Sequence, residues 1–274
     1  PLLKMGVKLV CNAVIGKTKS VYDLLEDGFD SVFIGVGAGL PMFKKIEGEN
    51  LLGVYSANEF LTRANLMDAY NFPLKSDTPI MRSKNCVVFG GGRLAMDSAR
   101  TAKRLGAGNV TILYRRSEKE MPARIEEIQH AKEEGIDFRL LQDAIKIIGN
   151  GNGWVESVEV QRMELGEPDD SGRRRPIPVK GSEFTIPVDC VVVAIGNRSN
   201  PLLTKATPEI KTNKWGNIIV EKETMRTSMK GVWAGGDIVL GAATVILAMG
   251  QARVAAKSIN EYLTTGVWEE WKGE

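Results

Sequence analysis

Two hydrophobic periods alternate through the middle of the chain. Cys86-Val87-Val88-Phe89 is a short apolar run closed by Gly90-Gly91-Gly92. A Val-rich run that is apolar at consecutive positions predicts a strand buried on both faces. From Leu94 to Leu105 the spacing becomes helical, and Gly106 stands where a C-cap belongs. Residues 110–114 predict a second buried strand. Residues 118–134 predict a second helix with a polar face, ended by Gly135, and residues 136–140 a third strand. This β-α-β-α-β order is that of a doubly wound half.

The flanks are less regular. Residues 24–39 read as a helix end, a turn at Asp27-Gly28, a strand over 31–34, then Gly35-Val36-Gly37-Ala38-Gly39. Residues 58–70 carry helical spacing, with Phe60, Leu61, Ala64 and Met67 on one face. Residues 72–84, with Pro73 and Pro79, read as a linker. Residues 155–165 and 183–188 predict antiparallel strands around a polar excursion, whose Arg173-Arg174-Arg175 run reads as a solvated loop tip. Residues 190–195 form another buried run closed by Gly196. Short strands are expected over 218–220 and 232–234, and one long, largely apolar helix over 243–263. The expected class is α/β: three layers, a parallel sheet and an antiparallel meander.

Composition narrows the field. With 274 residues, 43% of them hydrophobic, the chain can fill a real core. A net charge of +2 offers no general affinity for nucleic acid or membrane. Cys11, Cys86 and Cys190 form no CxxC pair, which argues against a zinc site, an iron–sulfur cluster or a disulfide scaffold made by this chain. A reducing cytoplasm fits that pattern. No run of about 20 apolar residues and no signal peptide is evident. The sequence begins at Pro1 rather than Met, as a processed chain or a fragment would.

The glycine triplet carries the candidate chemistry. A dinucleotide turn needs glycine so that the chain can reverse tightly and its backbone can approach a pyrophosphate. Gly90, Gly92 and Ala95 fill the positions of G-x-G-x-x-A, with Gly91, Arg93 and Leu94 between them. The helix that follows offers free N–H groups and a positive dipole end to phosphates. The end of the next strand selects the cofactor: an acidic residue there binds the ribose of NAD, an arginine the 2′-phosphate of NADP. Tyr114-Arg115-Arg116-Ser117 stands there, so Arg115 and Arg116 predict NADP(H). Gly35 to Gly39 imitates a second such turn, but Pro41 and Lys44-Lys45 follow it without helical spacing. His130, the only histidine, sits among Glu126, Glu127 and Glu133 on a charged helix face and reads as a surface residue.

These segments together resemble the NADPH-dependent glutamate synthase small (beta) subunit family. That family includes the large subunit of NADH-dependent ferredoxin:NADP oxidoreductase and a domain of dihydropyrimidine dehydrogenase. The matching stretches are FIGVGAGLPMFKKIEGENLLGVYSANEFL, GGGRLAMDSARTAKRLGAGNVTILYRRSEKEMPARIEEIQHAKEEG, VVVAIGNRSNP and GVWAGGDIVLGAATVILAMGQARVAA. The resemblance implies nested Rossmann-like domains of the two-dinucleotide-binding flavoprotein type. Residues 1–76 and 189–274 would belong to an FAD domain and 77–188 to an NADP(H) domain. Ala194-Ile195-Gly196 would form a crossover between the domains. Gly236, Asp237, Ala243, Thr244 and Val245 would belong to the second FAD motif. Asp237 would meet a ribityl hydroxyl, and the start of the long helix the pyrimidine end of the flavin.

Two departures stand out. Family members usually carry Asn where Arg93 stands. The N-terminal FAD fingerprint and the iron–sulfur cysteines are not in this sequence, so an incomplete FAD site is expected of it. The leading expectation is an oxidoreductase subunit exchanging hydride between NADPH and FAD, with a glutamate synthase large subunit or a ferredoxin-type iron–sulfur partner. No protein acid–base pair is required; Glu120 and Arg124 are expected to order the nucleotide loop or pair on a helix. The alternatives are an NADP(H)-binding module without redox activity of its own, a ferredoxin-linked transhydrogenase subunit, or a subunit completed by a partner chain.

Overall fold

The computed structural model describes residues 2–169, 172–269 and 271. The chain divides into two units, Pro41–Gly196 and a second built from Pro1–Leu40 with Asn197–Glu274.

The central unit is built on a five-stranded parallel sheet. Its strands are β1 (Val54–Ser56), β2 (Asn85–Phe89), β3 (Asn109–Tyr114), β4 (Asp137–Leu140) and, late in the chain, Cys190–Val193. Between β4 and that last strand the chain makes an antiparallel meander: β5 (Gln142–Gly149), β6 (Val155–Pro168), β7 (Arg174–Pro178) and β8 (Phe184–Pro187). Cys190–Val193 is therefore β9. The sheet order is β1-β9-β2-β3-β4, with every pairing parallel. Helices α1 (Ala57–Leu61), α2 (Arg93–Arg104) and α3 (Ile125–Glu133) cover one face through Phe60, Ala95, Met96, Ala99 and Ile128. The meander packs Ile147, Val158 and Val160 against Val87, Leu113 and Val191 on the other. Because both faces are covered, β2 and β9 are apolar at consecutive positions. The three-layer α/β class expected from the sequence is the one observed.

Asp189 sets the register of β2 beside β9. Its two carboxylate oxygens accept the N–H groups of Lys84 and Asn85 at 2.8 and 2.9 Å. A cleft of about 380 Å³ opens at this amino end of the sheet, lined by Asn85, Asn109, Asp137 and Arg139.

Several elements differ from the sequence expectations. The helix expected over 118–134 is a 3-10 turn, Glu118–Glu120, followed by extended backbone and then α3. Pro122 explains the break: a residue before proline is pushed out of the helical region, and Met121 has ψ 129°. The helix over 58–70 widens to a π-turn at Thr62–Leu66, leaving Met67 exposed although Phe60 and Ala64 are buried. Residues 174–178 form β7 rather than a loop tip. Strands β1 and β5 were not anticipated. A bulge between Ala144 and Lys146 interrupts the alternation in β5 that would have revealed it. Residues 218–220 form only an isolated bridge from Ile218 to Thr212.

The two units part at Leu40/Pro41 and Gly196/Asn197. The reason is hydrogen bonding: β1 and β9 are strands of the central sheet and separate with it.

In the second unit, Val32–Ile34 pairs in parallel with Val232–Ala234. Val21, Ile34, Val232 and Ile238 form one core, and Trp233 with Met225 and Ala255 another. The long helix runs from Val245 to Thr265. Among the described residues, no helix is long and apolar enough to cross a membrane.

Candidate functional site

The candidate site lies at the carboxyl ends of β2 and β9. After Phe89 the chain reverses through Gly90-Gly91-Gly92 and enters α2. The Gly90 N–H donates to the Leu113 carbonyl at 3.1 Å. Gly90 has φ +134°, and a Cβ on it would stand 2.2 Å from the Ala194 carbonyl oxygen. Both facts require glycine. A Cβ on Gly91 would strike the Tyr114 ring at 2.7 Å.

Gly92 is different. Its φ is −94°, and a Cβ there would meet only Pro122 Cγ, at an ordinary 3.6 Å. Gly92 is the N-cap of α2 and has no side chain to cap with. Ala95 and Met96 bond back to its carbonyl at 3.0 and 3.2 Å, while the N–H groups of Arg93 and Leu94 have no acceptor among the described residues. A helix of 12 residues thus turns its positive end toward open space. Ala95 is fully buried, which lets α2 sit close against the sheet.

The crossover Ala194-Ile195-Gly196 forms the neighbouring wall. The Ala194 N–H donates to Phe89 at 2.8 Å, Ile195 packs on the meander-side core, and the Gly196 carbonyl accepts from Met42 at 3.0 Å. From β2 the chain steps outward to β3 and β4 on one side, while β9 and β1 lie on the other. Such a reversal of strand order leaves a crevice at the carboxyl ends, where ligands of open α/β sheets bind.

Residues 117–124 lie along the turn. The Ala123 N–H donates to Gly91 at 3.2 Å, and the Tyr114 hydroxyl to the Glu120 carbonyl at 2.8 Å. The Ser117 hydroxyl donates to the Glu120 carboxylate and, more than any other group, holds that carboxyl below its ordinary range. Glu127 accepts the Arg124 N–H at 3.0 Å with one oxygen and pairs with Arg93 at 3.2 Å through the other. The sequence expectation that Glu120 and Arg124 order the nucleotide loop or pair on a helix did not include the backbone bond from Ala123 to Gly91. Pro122, which ends helical geometry, was the available signal.

The two arginines expected to act together are separated. Arg115 is exposed and makes no ion pair among the described residues. Arg116 is 6% exposed; its Nη2 pairs with Asp169 at 2.7 Å and its Nε donates to the Arg174 carbonyl at 2.8 Å.

In the second unit, Gly236 opens a short helix, Asp237–Leu240, with φ +79°. The Asp237 carboxylate accepts the Ala243 N–H at 3.2 Å. Thr244 caps the long helix, accepting from the Leu247 N–H at 3.4 Å. Val245 and Ile246 are 75% and 80% exposed at its start. One carboxylate, one helix N-terminus and an apolar surface therefore occur close together along this segment.

A parallel sheet with a glycine turn at its switch point defines a Rossmann-type α/β protein. The family model for the pyridine nucleotide-disulphide oxidoreductases matches residues 4–258, and the chain belongs to that family. It is 39% identical over 264 residues to the glutamate synthase [NADPH] small chain of Escherichia coli, covering 94% of this chain and 56% of that one. It is 40% identical over 264 residues to the NADP(+)-dependent formate dehydrogenase subunit beta of Moorella thermoacetica, covering 96% of this chain and 36% of the relative. The chain thus spans about a third to just over half of these relatives. The resemblance to glutamate synthase small chains holds. Among solved structures, Mycobacterium tuberculosis FprA in complex with NADPH matches with a TM-score of 0.75 at 20% identity, over 93% of this chain and 68% of that one. Thioredoxin reductase of T. acidophilum matches at 0.64 and 22% identity, over 86% and 66%. At these identities the two structures speak for the fold.

The glycines yield a paired prediction. Gly90→Ala combines a left-handed strain of about 1–3 kcal/mol with a backbone collision, and should unfold the central unit or sharply lower its Tm. Gly92→Ala should stay folded, losing no more than about 1 kcal/mol at the cap. Equal losses in a denaturant titration would refute this division.

A second prediction concerns pH. A depressed carboxyl contributes stability above its unfolded pKa, and that contribution disappears as pH falls through its folded pKa. Ser117→Ala removes the largest cause of the depression at Glu120. Its Tm should lie below wild type at neutral pH, and the gap should close in acid. A gap that stays constant into acid would show that the hydroxyl acts otherwise.

Proposed function

We propose that the central unit binds NADP(H) and that the chain is part of an NADPH-dependent flavin oxidoreductase of the glutamate synthase small-chain type. The observation that carries this reading is the space at Gly92. Nothing in the fold requires glycine there, yet the two open N–H groups of α2 border it. A pyrophosphate approaching that helix end supplies the missing reason. Gly90, Gly91, Gly92, Arg93, Leu94 and Ala95 would form the phosphate turn, with Ala194, Ile195 and Gly196 as the facing wall. Arg115, exposed, would meet the 2′-phosphate, while Arg116 is engaged by Asp169.

For flavin, the second unit offers Gly236, Asp237, Ala243, Thr244 and Val245. Asp237 uses one oxygen on Ala243, leaving the other for a ribityl hydroxyl. The start of the long helix would favour negative charge on a ring laid against it. FAD, when bound, supplies the hydride chemistry; the residues position and shield it. Names of relatives as small chains and beta subunits support a partner subunit. We assign it as a glutamate synthase large subunit or a ferredoxin-type iron–sulfur protein. Three unpaired cysteines support a cytoplasmic location.

A second reading is an NADP(H)-binding module without redox activity of its own. It is favoured by the exposed Val245 and Ile246, which no described part of the chain covers. The visible spectrum of the purified chain supplied with FAD separates the two. Flavin bands that bleach on NADPH addition support the oxidoreductase. A colourless protein that still binds NADPH sinks that reading for this chain.

The cofactor assignment has its own measurement. A charge-assisted phosphate contact is worth about 1.5–3 kcal/mol, so Arg115→Ala should weaken NADPH at least about tenfold and NADH little. Equal weakening of both would show that Arg115 does not read the 2′-phosphate.

A further inference from the structure

Arg116 is an unusual surface-loop arginine because it is buried. Its guanidinium is divided between a carboxylate, Asp169, and a backbone carbonyl, that of Arg174. Those acceptors lie on opposite arms of the β6–β7 hairpin, beyond Pro168 and at the first residue of β7. The Arg116 carbonyl accepts the Leu141 N–H at 3.1 Å, so this residue is held at both ends. A carboxylate already neutralises its charge. A phosphate would have to compete with Asp169 at 2.7 Å for the same group.

The bond to Arg174 brings a second basic segment to the end of β3. The Arg174 side chain is anchored by the Leu165 and Gly166 carbonyls at 2.6 and 3.1 Å. Its charge is near enough to Glu120 to help draw down that carboxyl. The Arg174 backbone is therefore held against Arg116, although 58 residues separate them.

We propose that Arg116 is a positioning residue that docks the β6–β7 hairpin beside the 2′-phosphate site, so that Arg174 supplies a second positive charge there alongside Arg115. This deepens the NADP(H) reading and rests on it. Selectivity would then be shared between a strand end and a meander hairpin, not confined to two adjacent arginines. Arg116 contributes through Asp169 and the Arg174 carbonyl, without touching the cofactor.

Asp169→Asn distinguishes the two roles by sign. If Arg116 were a direct clamp, removing its competing carboxylate would free it and tighten binding of the 2′-phosphate. If it is a tether, the same change loosens the hairpin and weakens binding. The probes are adenosine 2′,5′-bisphosphate and adenosine 5′-phosphate, titrated calorimetrically into the full chain, with thermal unfolding as the folding control. Wild type should prefer the bisphosphate. Asp169→Asn and Arg174→Ala should each weaken it about three- to tenfold, the scale of one charge acting across a few ångströms near a protein surface. Neither should change the monophosphate by more than about twofold. Tighter or unchanged bisphosphate binding in Asp169→Asn, or no change in Arg174→Ala, overturns the tether while leaving the NADP(H) reading intact. Lack of preference in wild type overturns that reading and the tether with it.

Discussion

The candidate site depends on one close approach between backbones. The Ala194 carbonyl at the end of β9 occupies the space where a side chain on Gly90 would stand. That contact is possible because β2 and β9 run parallel and adjacent, with Cys86 opposite Cys190 and Phe89 opposite Val193. The strands in turn are aligned at their other end by Asp189, which accepts two N–H groups from the start of β2. Register at the bottom of the sheet thus determines how tightly the turn closes at the top. With the turn closed against Ala194, the first two amides of α2 have no acceptor among the described residues. Shifting β9 by one residue would exchange its two faces and remove the carbonyl from the turn.

The strand–turn–helix core was legible because it obeys simple rules. Apolar runs of four or five residues, a glycine triplet and an alanine-rich helix face each state their role locally. Ala95 and Ala99 pack where a small residue is needed, and Gly106 closes the helix with φ +96°. The meander was only half legible. β5 carries a bulge, and β7 begins inside an arginine run whose charge disguises a strand paired along only one edge. Long-range pairing decides such segments, and it has no local period.

The site was legible in part for the same reason. Gly90, Gly92 and Ala95 could be assigned to one dinucleotide turn, because its tight reversal leaves a mark on residue type. Arg115 and Arg116 look alike in sequence yet have different environments. One side chain is exposed; the other is buried against Asp169, 53 positions away. Nothing local distinguishes them, since the distinction lies in where the hairpin docks. The 120–124 segment is similar: a role for Glu120 and Arg124 in ordering the nucleotide loop could be expected, but the landing place of Ala123 on Gly91 could not.

This arrangement bears on how charge is distributed around the turn. Arg93 is balanced by Glu127 and Arg116 by Asp169, while Arg115 is left without a described partner. Paired arginines give up their charge to the fold and gain fixed positions; an unpaired one retains its full attraction for a phosphate. A site with every arginine free would repel itself before ligand arrives and lose side-chain order. Partial neutralisation avoids both costs. On the proposed NADP(H) reading, Glu127 and Asp169, two acidic residues, would matter to anion recognition as much as the arginines they hold. The acidic partners would then determine which positive charge remains available to a phosphate.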